Sequence, residues 1–459
     1  MASASDNELM TTITPGSPAG DLMRRYWQPA ALVDEFESER AQTERAVVPV
    51  TLLGEELVMF RNEDGSYGLV DRYCAHRGAD LAYGRQEDGG LRCPFHGWLF
   101  DAAGSCLEQP AEPEISTQYK QVRHRAYPCR ERNGIVFAYM GPGEPPAFPE
   151  FDCFAAPRQY TFAFKGMWEC NWLQALEVGI DPAHASYLHR FFEDEAIDDA
   201  YGKQFRSAAA DTDVPLTRIL REYSRPTINV EDTDYGLRLV TTRELDDERT
   251  HFRVTNLLFP LAITIPMSNE MTITQWHVPI DNTRCYWYAI FTSFGDPVDH
   301  ATMRAQRLEM HTLPDYRPIL NRSNNWGFNA EEQRSKTYTG MGMDINVHDQ
   351  WAVESMGPIQ DRTRERLALS DIGIITYRRL LKKAIAAVQE QQPVPFVLPE
   401  QEATAVHGPV AIDAIVGGAN GDTGWKERDL MRRDLAGWGA PNPWREQSSA
   451  ALDPSAERG

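Results

Sequence analysis

The sequence predicts an α+β protein, in which a small antiparallel β domain precedes a larger domain whose helices cover an antiparallel sheet. Short alternating apolar stretches separated by turn residues fill residues 47–140, which is the pattern of a small β domain. Four longer strand-like stretches lie between residues 236 and 294: "GLRLVTTREL", "HFRVTNLLF", "MTITQWHVPI" and "CYWYAIFTSF". After them, "SDIGIITYRRLLKKAIAAVQEQQ" repeats apolar residues at helical spacing and predicts a long amphipathic helix.

The first domain is expected to span residues 1–155. Its N-terminal segment contains a predicted short helix near "GDLMRRYW". The stretch "AVVPVTLLGEELVMFRNEDGSYGLVDR" predicts three strands with turns at Gly54 and at "NEDG", and "NGIVFAYMG" predicts another strand. The proline-rich stretch "PGEPPAFPEF", residues 142–151, favours a domain boundary.

The second domain is expected to span residues 156–440. It opens with a predicted strand, "YTFAFKGMW", and continues with a helical stretch from Glu169 to about Phe192. Helical pattern resumes from about Val347, and Ser370 is placed to cap the long amphipathic helix. Residues 441–459 are polar and are expected to form a flexible tail.

Composition and charge narrow the class of protein. The net charge of −21 over 459 residues would repel a nucleic-acid backbone, so no nucleic-acid partner is expected. The start, "MASASDNELM", lacks the features of a signal peptide, and the longest apolar run, "NLLFPLAITIPM", is shorter than the roughly 20 residues that span a bilayer. These features predict a cytoplasmic protein without a membrane partner. Five scattered cysteines are expected to be free thiols in a reducing compartment: Cys106, Cys129, Cys153, Cys170 and Cys285.

The most specific motif is "DRYCAHRGADLAYGRQEDGGLRCPFHGWLFD", residues 71–101. Each half supplies one thiol and one imidazole, namely Cys74 with His76 and Cys93 with His96. A zinc ribbon usually pairs two cysteines on one knuckle, whereas a Rieske [2Fe–2S] cluster takes two thiolates on one iron and two imidazoles on the other. Two loops that each bring one Cys and one His suit the second arrangement. A zinc site and four unrelated residues are the alternatives.

The forms "CAHR" and "CPFHGW" resemble those of the Rieske proteins. The resemblance implies a [2Fe–2S] cluster, which has a higher potential than an all-cysteine cluster because imidazoles replace charged thiolates. Nearby glycines are expected to let the loops approach closely and to point backbone N–H groups at the sulfurs: Gly78, Gly89, Gly90 and Gly97.

A second candidate metal site lies in "ECNWLQALEVGIDPAHASYLHR". On a regular helix Glu177, Asp181 and His184 share one face, but His189 lies about 140° away from His184. Because Asp181 and Pro182 are typical of a helix start, we expect a break that lets the two histidines converge. Two histidines and one carboxylate form the facial triad of non-haem Fe(II) oxygenases, which leaves positions open for O2 and substrate. Two ordinary core histidines are the alternative.

The spacing Glu-x3-Asp-x2-His-x4-His resembles that of Rieske ring-hydroxylating oxygenases. By this resemblance the third iron ligand lies early in a C-terminal helix, and Asp349 in "INVHDQWAVESMGPIQDRTRERL" occupies the matching position. A helix N-cap is the alternative role for Asp349. Three other carboxylates are alternative ligands: Asp344, Asp361 and Glu354.

The resemblance also implies a role for Asp181 in electron transfer between subunits. In the family, the corresponding aspartate accepts hydrogen bonds from a Rieske histidine of a neighbouring subunit and from a ligand histidine of its own subunit. Asp181 would then lie between His96 of the partner subunit and its own His184. A plain helix cap at Asp181 is the other interpretation.

The resemblance extends from "PGSPAGDLMRRYWQPAAL" to "GPIQDRTRERLALSDIGIITYRRLL" and is greatest to the phthalate 4,5-dioxygenase-like branch, which is homo-oligomeric. It implies a terminal oxygenase, a homotrimer or dimer of trimers, that receives electrons from a flavin- and ferredoxin-containing reductase and uses O2 to oxidise a carboxylated aromatic. The glycine-rich "VGGANGDTGW" does not follow a strand in a βαβ unit, so NAD(P)H is expected to bind the separate reductase.

Several functions stay open at this point. Ring dihydroxylation is the first candidate reaction, and O-demethylation by a monooxygenase on the same scaffold is the alternative. A Rieske electron-transfer protein without catalysis and a zinc-stabilised binding protein belong to other classes. For the substrate carboxylate Arg243 is the first candidate, with Arg206 and Arg253 behind it. Three residues could support the metal ligands from the preceding helix: Asn171, Gln174 and Glu177.

Overall fold

The N-terminal part of the chain is built of short antiparallel sheets. The structure is a computed structural model and describes residues 2–87, 89–194, 214–268, 270–417 and 423–444. The elements up to residue 138 are α1 (Ala4–Thr11), α2 (Pro18–Met23), β1 (Gln28–Leu32), α3 (Val33–Thr43), β2 (Val47–Leu52), β3 (Glu55–Arg61), β4 (Tyr67–Asp71), β5 (Arg85–Glu87), β6 (Gly90–Arg92), β7 (Leu99–Asp101), β8 (Cys106–Glu108), β9 (Ala126–Tyr127), β10 (Cys129–Arg132) and β11 (Ile135–Ala138).

Three sheets organise this part: β2-β3-β4-β9, β5-β6-β7-β8 and β1-β11-β10. The turn at Gly54 joins β2 to β3, and the turn after Asn62 joins β3 to β4, as the sequence predicts. A small apolar core that includes Phe60, Leu91 and Phe100 lies between the first two sheets and encloses Cys74 and Cys93. The two cysteines are therefore held by a core of their own.

The rest of the chain forms the larger sheet and its helices. Its elements are β12 (Glu150–Phe151), α4 (Asp152–Ala155), β13 (Thr161–Trp168), α5 (Trp172–Gly179), α6 (Ala185–Leu188), α7 (Leu216–Glu222), β14 (Thr227–Thr233), β15 (Gly236–Glu244), β16 (Arg249–Leu258), β17 (Ala262–Pro266), β18 (Met271–Pro279), β19 (Cys285–Ser293), α8 (His300–Leu308), β20 (His311–Thr312), β21 (Arg317–Pro318), α9 (Ala330–Ser335), α10 (Ile345–Ser355), α11 (Ile372–Gln389), α12 (Glu400–Ala403), β22 (His407–Gly408), β23 (Ile412–Gly417) and α13 (Gly424–Leu435).

The large sheet is antiparallel, with the order β13-β19-β18-β17-β16-β15-β14, and β23 pairs with the first half of β16. It confirms the α+β fold class and the four longer strands predicted from the sequence. The strands β14, β17 and β23 were not predicted. β17 and β23 share one edge of β16, β23 along residues 249–254 and β17 along residues 256–258.

The helices that follow the sheet differ in detail from the prediction. The helical stretch after Glu169 is broken into α5 and α6, as expected. The prediction that Ser370 caps the long helix was wrong, because α11 starts at Ile372 after a 3-10 turn and its N-cap residue is Asp371. The Asp371 carboxylate instead accepts a hydrogen bond from the Ala368 N–H within that turn.

The largest apolar core crosses residue 155, where the sequence suggested a domain boundary. It combines residues of the N-terminal segment, such as Leu22 and Ala31, with residues of the large sheet, such as Trp276. The Tyr288 hydroxyl donates to the Ala30 carbonyl at 2.9 Å. The sheet β1-β11-β10 therefore packs on the larger part of the chain.

Two of the sequence-based predictions concern the C-terminal region. The glycine-rich stretch follows β23, which runs antiparallel to β16, so it does not follow a strand of a βαβ unit, as predicted; residues 418–422 lie outside the described residues. Of the predicted tail, Trp444 packs on Trp425 with ring centroids 5.7 Å apart, and residues 445–459 lie outside the described residues. Within the described ranges, no helix combines the length and the apolar character that crossing a membrane requires.

Candidate active site

Two loops with the same backbone pattern carry the four Rieske-type residues. In the first loop the Cys74 N–H donates to the Ala79 carbonyl at 2.8 Å, and the Gly78 N–H donates to the Cys74 carbonyl at 2.8 Å. In the second loop Cys93 bonds the Trp98 carbonyl at 2.8 Å, and the Gly97 N–H bonds the Cys93 carbonyl at 2.9 Å. The two glycines have φ values of +75° and +78°, so each loop uses glycine for a left-handed turn.

The tips of the two loops meet. The rings of His76 and His96 lie 4.5 Å apart, and His76 stacks on Trp98 at 4.5 Å with an interplanar angle of 8°. Both thiols are buried, and burial, with a contribution from Cys93, raises the pKa of Cys74 to about 11. The Nδ1 atoms of His76 and His96 are buried without a hydrogen-bond partner among the described residues. Two thiols and two orphaned imidazole nitrogens at one point suit a [2Fe–2S] cluster of the Rieske type.

The other two glycines named from the sequence, Gly89 and Gly90, are needed for different structural reasons. Gly89 has φ +75° and nothing within 4 Å of where a Cβ would lie, so it serves the β5–β6 turn. At Gly90 a Cβ would overlap the carbonyl of Phe100 on the paired strand. These two glycines serve the sheet rather than the loop tips.

The break between α5 and α6 brings the second pair of histidines together. Helix α5 ends at Gly179, and the Asp181 carboxylate accepts a hydrogen bond from the Ala183 N–H at 2.9 Å. Helix α6 is only four residues long, and His184 and His189 stand at its two ends. Their Nε2 atoms face each other at 3.2 Å.

Asp349, in the second turn of α10, completes a group of three. Its Oδ1 lies 3.2 Å from His189 Nε2 and 3.7 Å from His184 Nε2. These three ligand atoms all lie within 4.8 Å of one another. A metal bound by two nitrogens at about 2.1 Å each places them about 3 Å apart, so the donor set fits one divalent ion.

Hydrogen bonds at the far side of each imidazole fix its tautomer. His184 Nδ1 contacts the backbone carbonyl of Asp181, which only an N–H can do. His348 Nε2 donates to the Gly342 carbonyl at 2.9 Å, which leaves His348 Nδ1 as an acceptor for the His189 Nδ1–H at 3.4 Å. Both Nε2 atoms therefore present a lone pair to the site.

His348 was not singled out from the sequence. It directly precedes Asp349 in "INVHDQW", so the two side chains leave the helix about 100° apart. The contact of His348 with His189 joins residues 159 apart in the chain. A second histidine beside a candidate carboxylate ligand was the available signal.

Burial disfavours the charged forms of the three candidate ligands. Burial, with the nearby charge of Arg253, lowers the pKa of His189 to about 3, and burial also lowers the pKa of His184. Burial raises the pKa of Asp349 to about 6, against the opposing effect of His184. A divalent cation at the centre would offset these desolvation penalties, since metal ligation favours neutral imidazole and charged carboxylate.

The three alternative carboxylates have other partners. Asp344 is the N-cap of α10, where its carboxylate accepts from the Asn346 N–H at 3.0 Å. Glu354 accepts from the Trp326 indole N–H at 2.8 Å, and Asp361 accepts from the Thr363 N–H at 3.1 Å. Of the four candidates, only Asp349 faces both histidines.

A cavity of about 120 Å³ opens beside this triad. Its walls are mainly apolar and include the side chains of Ile263, Ile265 and Ile273 on one face of the large sheet. Gln275 and His277 add polar groups, with their Nε2 atoms 3.3 Å apart. A cavity of roughly 150 Å³ holds one benzene ring, so this one is of the size of a single aromatic ring.

The three arginine candidates for substrate binding lie at different places relative to the cavity. Arg253 lines the cavity, and it is the only lysine or arginine among the described lining residues. Arg243, the first candidate from the sequence, is not among its lining residues; the Arg243 side chain is buried on the neighbouring strand, and its Nε donates to the Tyr223 carbonyl at 3.0 Å. Arg206 lies outside the described residues.

The three residues of α5 proposed to support the ligands hold the helix in place instead. Asn171 caps α5 through the Leu173 N–H and donates to the Asn282 carbonyl at 2.7 Å. Gln174 donates to two carbonyls at the end of α10. The buried Glu177 pairs with Arg362 at 2.9 Å and with Arg378 at 2.5 Å. They position α5, and through it the histidines, without touching the histidines themselves.

Asp181 stands between two cavities. It lines the cavity beside the triad and also an open groove of about 870 Å³ whose walls include Tyr187, Trp326 and Tyr338. The contact of Asp181 with its own His184 is made by the backbone carbonyl, and not by the carboxylate as expected. Among the described lining residues of both cavities, none comes from the Rieske-type loops.

Comparison with known proteins agrees with both centres. Residues 26–122 match the "Rieske [2Fe-2S] domain" family, and residues 138–432 match the family described as "LigXa C-terminal domain like". The oxygenase subunit of phthalate 4,5-dioxygenase from Pseudomonas putida is 34% identical over 403 residues, 85% of this chain and 87% of that relative. The oxygenase subunit of 5,5'-dehydrodivanillate O-demethylase from Sphingobium sp. (strain NBRC 103272 / SYK-6) is 33% identical over 83% of this chain and 79% of that relative.

Among solved structures, dicamba monooxygenase bound to dicamba shares the fold. Its TM-score is 0.55 at 18% identity, with 80% of this chain and 99% of that chain covered. The family matches and the two relatives cover both centres described above. This chain therefore belongs to the family of Rieske non-haem iron oxygenases, as an oxygenase subunit with a [2Fe–2S] domain and a LigXa-like C-terminal domain.

Proposed function

We propose that this chain is the terminal oxygenase of a multicomponent system that uses O2 to dihydroxylate the ring of a carboxylated aromatic. The observation that carries the proposal is the convergence of His184, His189 and Asp349 on an apolar, ring-sized cavity that has a guanidinium in its wall. A single iron at the triad supplies O2 activation, and a Rieske cluster supplies electrons.

The proposed roles follow from the donor atoms. Cys74 and Cys93 would hold one iron of the cluster, and the Nδ1 atoms of His76 and His96 the other. His184 and His189 would ligate through Nε2, and Asp349 through Oδ1. The three donors would bind one side of an ion and would leave the cavity side open to O2 and substrate.

Electron delivery from a second copy of the chain fits the position of Asp181. Asp181 lines the open groove, and the chain's own Rieske-type loops contribute no described residue to that groove. Large exposed side chains edge the groove, among them Tyr187, Phe328 and Tyr338. We therefore propose a homotrimer or a dimer of trimers, in which Asp181 accepts a hydrogen bond from His96 of the partner subunit.

The substrate class rests on the cavity and on the relatives. Phthalate, named in one relative, is a benzene dicarboxylate, and Arg253 offers a guanidinium for such a group. The proposed partners are a flavin- and ferredoxin-containing reductase that carries the NAD(P)H site, and the proposed compartment is the cytoplasm, where the free cysteines would stay reduced.

Two measurements test this function. Purified protein should contain about three iron atoms and two sulfides per chain. Two irons with two sulfides would indicate an electron carrier without catalysis, and zinc in a colourless protein would exclude the Rieske assignment. Product analysis with labelled O2, across phthalates, methoxybenzoates and phenoxybenzoates, should find both atoms of one O2 in a cis-diol.

O-demethylation is the second candidate, because a relative named as an O-demethylase is nearly as similar to the chain as the dioxygenase. It would appear in the same experiment as formaldehyde and a phenol, with one labelled oxygen per turnover.

A further inference from the structure

Four polar side chains share one face of the large sheet, and one of them, Arg253, lines the cavity. Arg243 on β15 stands opposite His251 on β16, and Arg253 on β16 stands opposite Asp413 on β23. Residues two apart on a strand face the same side, so His251 and Arg253 bring the two pairs together. Arg243 and Arg253 are diagonal neighbours, which places their backbones about 7–8 Å apart.

The pair closest to the cavity is formally neutral. Arg253 Nη1 bonds the Asp413 carboxylate, and Arg253 Nη2 donates to the Pro266 carbonyl at 3.1 Å. Burial alone would raise the pKa of Asp413, but Arg253 and a hydrogen bond from His251 outweigh burial and lower it. Arg253 therefore has donors left for the cavity, but the charge of Asp413 beside it opposes the binding of an anion.

His251 adds no charge to this cluster. It is fully buried, its Nε2 lies 3.2 Å from the Asp413 carboxylate, and burial lowers its pKa. The cluster thus contains one carboxylate, Asp413, and two guanidiniums, Arg253 and Arg243.

Arg243 is the unusual member. Only 2% of its surface is exposed, and its Nη1 and Nη2 atoms have no hydrogen-bond partner in the described part of the chain. Burial, with repulsion from Arg253, lowers its pKa to about 10, so the side chain is still charged at neutral pH. A buried cation without a direct anionic partner is unfavourable, and Asp413 is the buried anion whose charge attracts it.

We propose that Arg243 is a positioning residue that acts through Asp413: it offsets the charge of that carboxylate, so that Arg253 presents net positive charge to the cavity and favours a substrate that carries a carboxylate. Asp413 fixes the direction of the Arg253 guanidinium, and Arg243 supplies the surplus charge from the neighbouring strand. This inference rests on the proposed function only in taking the cavity beside the triad as the substrate cavity.

The test compares two probes of nearly the same shape, benzoate and benzamide, which differ in charge. Their dissociation constants are measured calorimetrically at pH 7 on the purified protein with its metals. Wild type should bind benzoate more tightly. Arg243→Gln should weaken benzoate binding about tenfold, because one buried unit charge near the cavity is lost, and should change benzamide binding less than twofold.

Charge restoration separates this role from a structural one. Arg243→Lys should retain the preference for benzoate. Asp413→Asn, which keeps a hydrogen-bond acceptor for Arg253, should not lower the preference, and the double variant Arg243→Gln/Asp413→Asn should return it towards wild type because the net charge is restored. Arg238→Gln is the matched control, since Arg238 lies on the same strand and pairs with Glu231 at 3.1 Å.

Two results would overturn the inference: an equal loss of benzoate and benzamide binding in Arg243→Gln, or a double variant no better than the single one. Wild type without a preference for benzoate would overturn it as well. Failure of the proposed function is seen elsewhere, as a missing third iron or absent O2-dependent turnover, while the charge dependence of binding is measured independently.

Discussion

His189 Nδ1 lies 3.4 Å from Nδ1 of His348, and this contact links two helices that carry the candidate iron ligands. The Gly342 carbonyl determines the direction of this hydrogen bond. His348 donates its Nε2–H to that carbonyl, so its Nδ1 can only accept from His189. The imidazole of His189 is thereby held with its Nε2 lone pair towards Asp349. A residue that does not itself ligate controls the ligand's tautomer.

Replacing His348 by Leu should weaken binding of Fe(II) at the triad by about 10–100-fold, because His189 loses the acceptor that orients it. Iron content after dialysis against a graded series of chelator concentrations measures the loss. The visible spectrum of the cluster should stay unchanged. His311→Leu is the control, since His311 is another buried histidine, bonded to the Arg307 carbonyl at 3.0 Å. Equal iron loss in both variants would argue against the tautomer role.

Asp181→Asn should lower O2-dependent turnover by about 10–100-fold and leave both metal contents intact. The amide keeps the acceptor for the Ala183 N–H, so the local turn is preserved, but it removes the charge that would accept a hydrogen bond from the partner subunit. Single-turnover reduction of the iron by pre-reduced cluster gives the rate directly. Asp361→Asn is the matched control, because Asp361 makes the same kind of turn with Thr363 at an exposed position. Full activity in Asp181→Asn would refute the bridging role.

The two loop glycines should respond differently to alanine. At Gly78 a Cβ would meet nothing within 4 Å, so only the left-handed backbone opposes it, at about 1–2 kcal/mol. At Gly97 the same strain is joined by a contact of 2.6 Å with the Pro110 ring. Gly97→Ala should therefore lower cluster occupancy and thermal stability more than Gly78→Ala. Sulfide content and the melting temperature measure both, and equal effects would show that the Pro110 contact is relieved without penalty.

The local motifs were accessible from the sequence because their donors lie close together in the chain. Cys74 to His96 is one continuous stretch, and the break between α5 and α6 follows from local helix-breaking residues. What the sequence hid was the register of the sheet. Arg243 and Arg253 lie on adjacent strands and face the same side of the sheet, so the alternation of polar and apolar residues does not distinguish them. Arg253 lines the cavity and Arg243 does not, which depends on where β17 and β23 pair along β16.

The strands β17 and β23 and the role of His348 were not predicted for the same reason. β17 is a five-residue strand directly after the turn at Pro260, and β23 pairs with a strand more than 150 residues earlier. The contact of His348 with His189 is equally distant in sequence. Such pairings depend on tertiary packing, which local pattern does not encode.

Glu177 should make the stability of the protein depend on acid. Burial alone would raise its pKa, but Arg362 and Arg378 outweigh burial and hold the pKa below its usual 4.5. A carboxyl whose pKa is lower in the folded state stabilises that state fully above the unfolded pKa, and the contribution is lost as pH falls through the folded pKa. Glu177→Gln should therefore lower the free energy of unfolding by about 3–5 kcal/mol at pH 7, because two buried guanidiniums lose a partner.

The difference between wild type and Glu177→Gln should shrink as the pH is lowered below 4.5, since wild type then protonates the same group. Urea unfolding followed by tryptophan fluorescence at pH 7, 5, 4 and 3 measures it. Glu365→Gln is the companion variant, because Glu365 also bonds Arg378 but not Arg362, and its effect should be smaller. A difference for Glu177→Gln that stays constant across this pH range would show that the lost stability comes from packing and not from the ionised carboxylate.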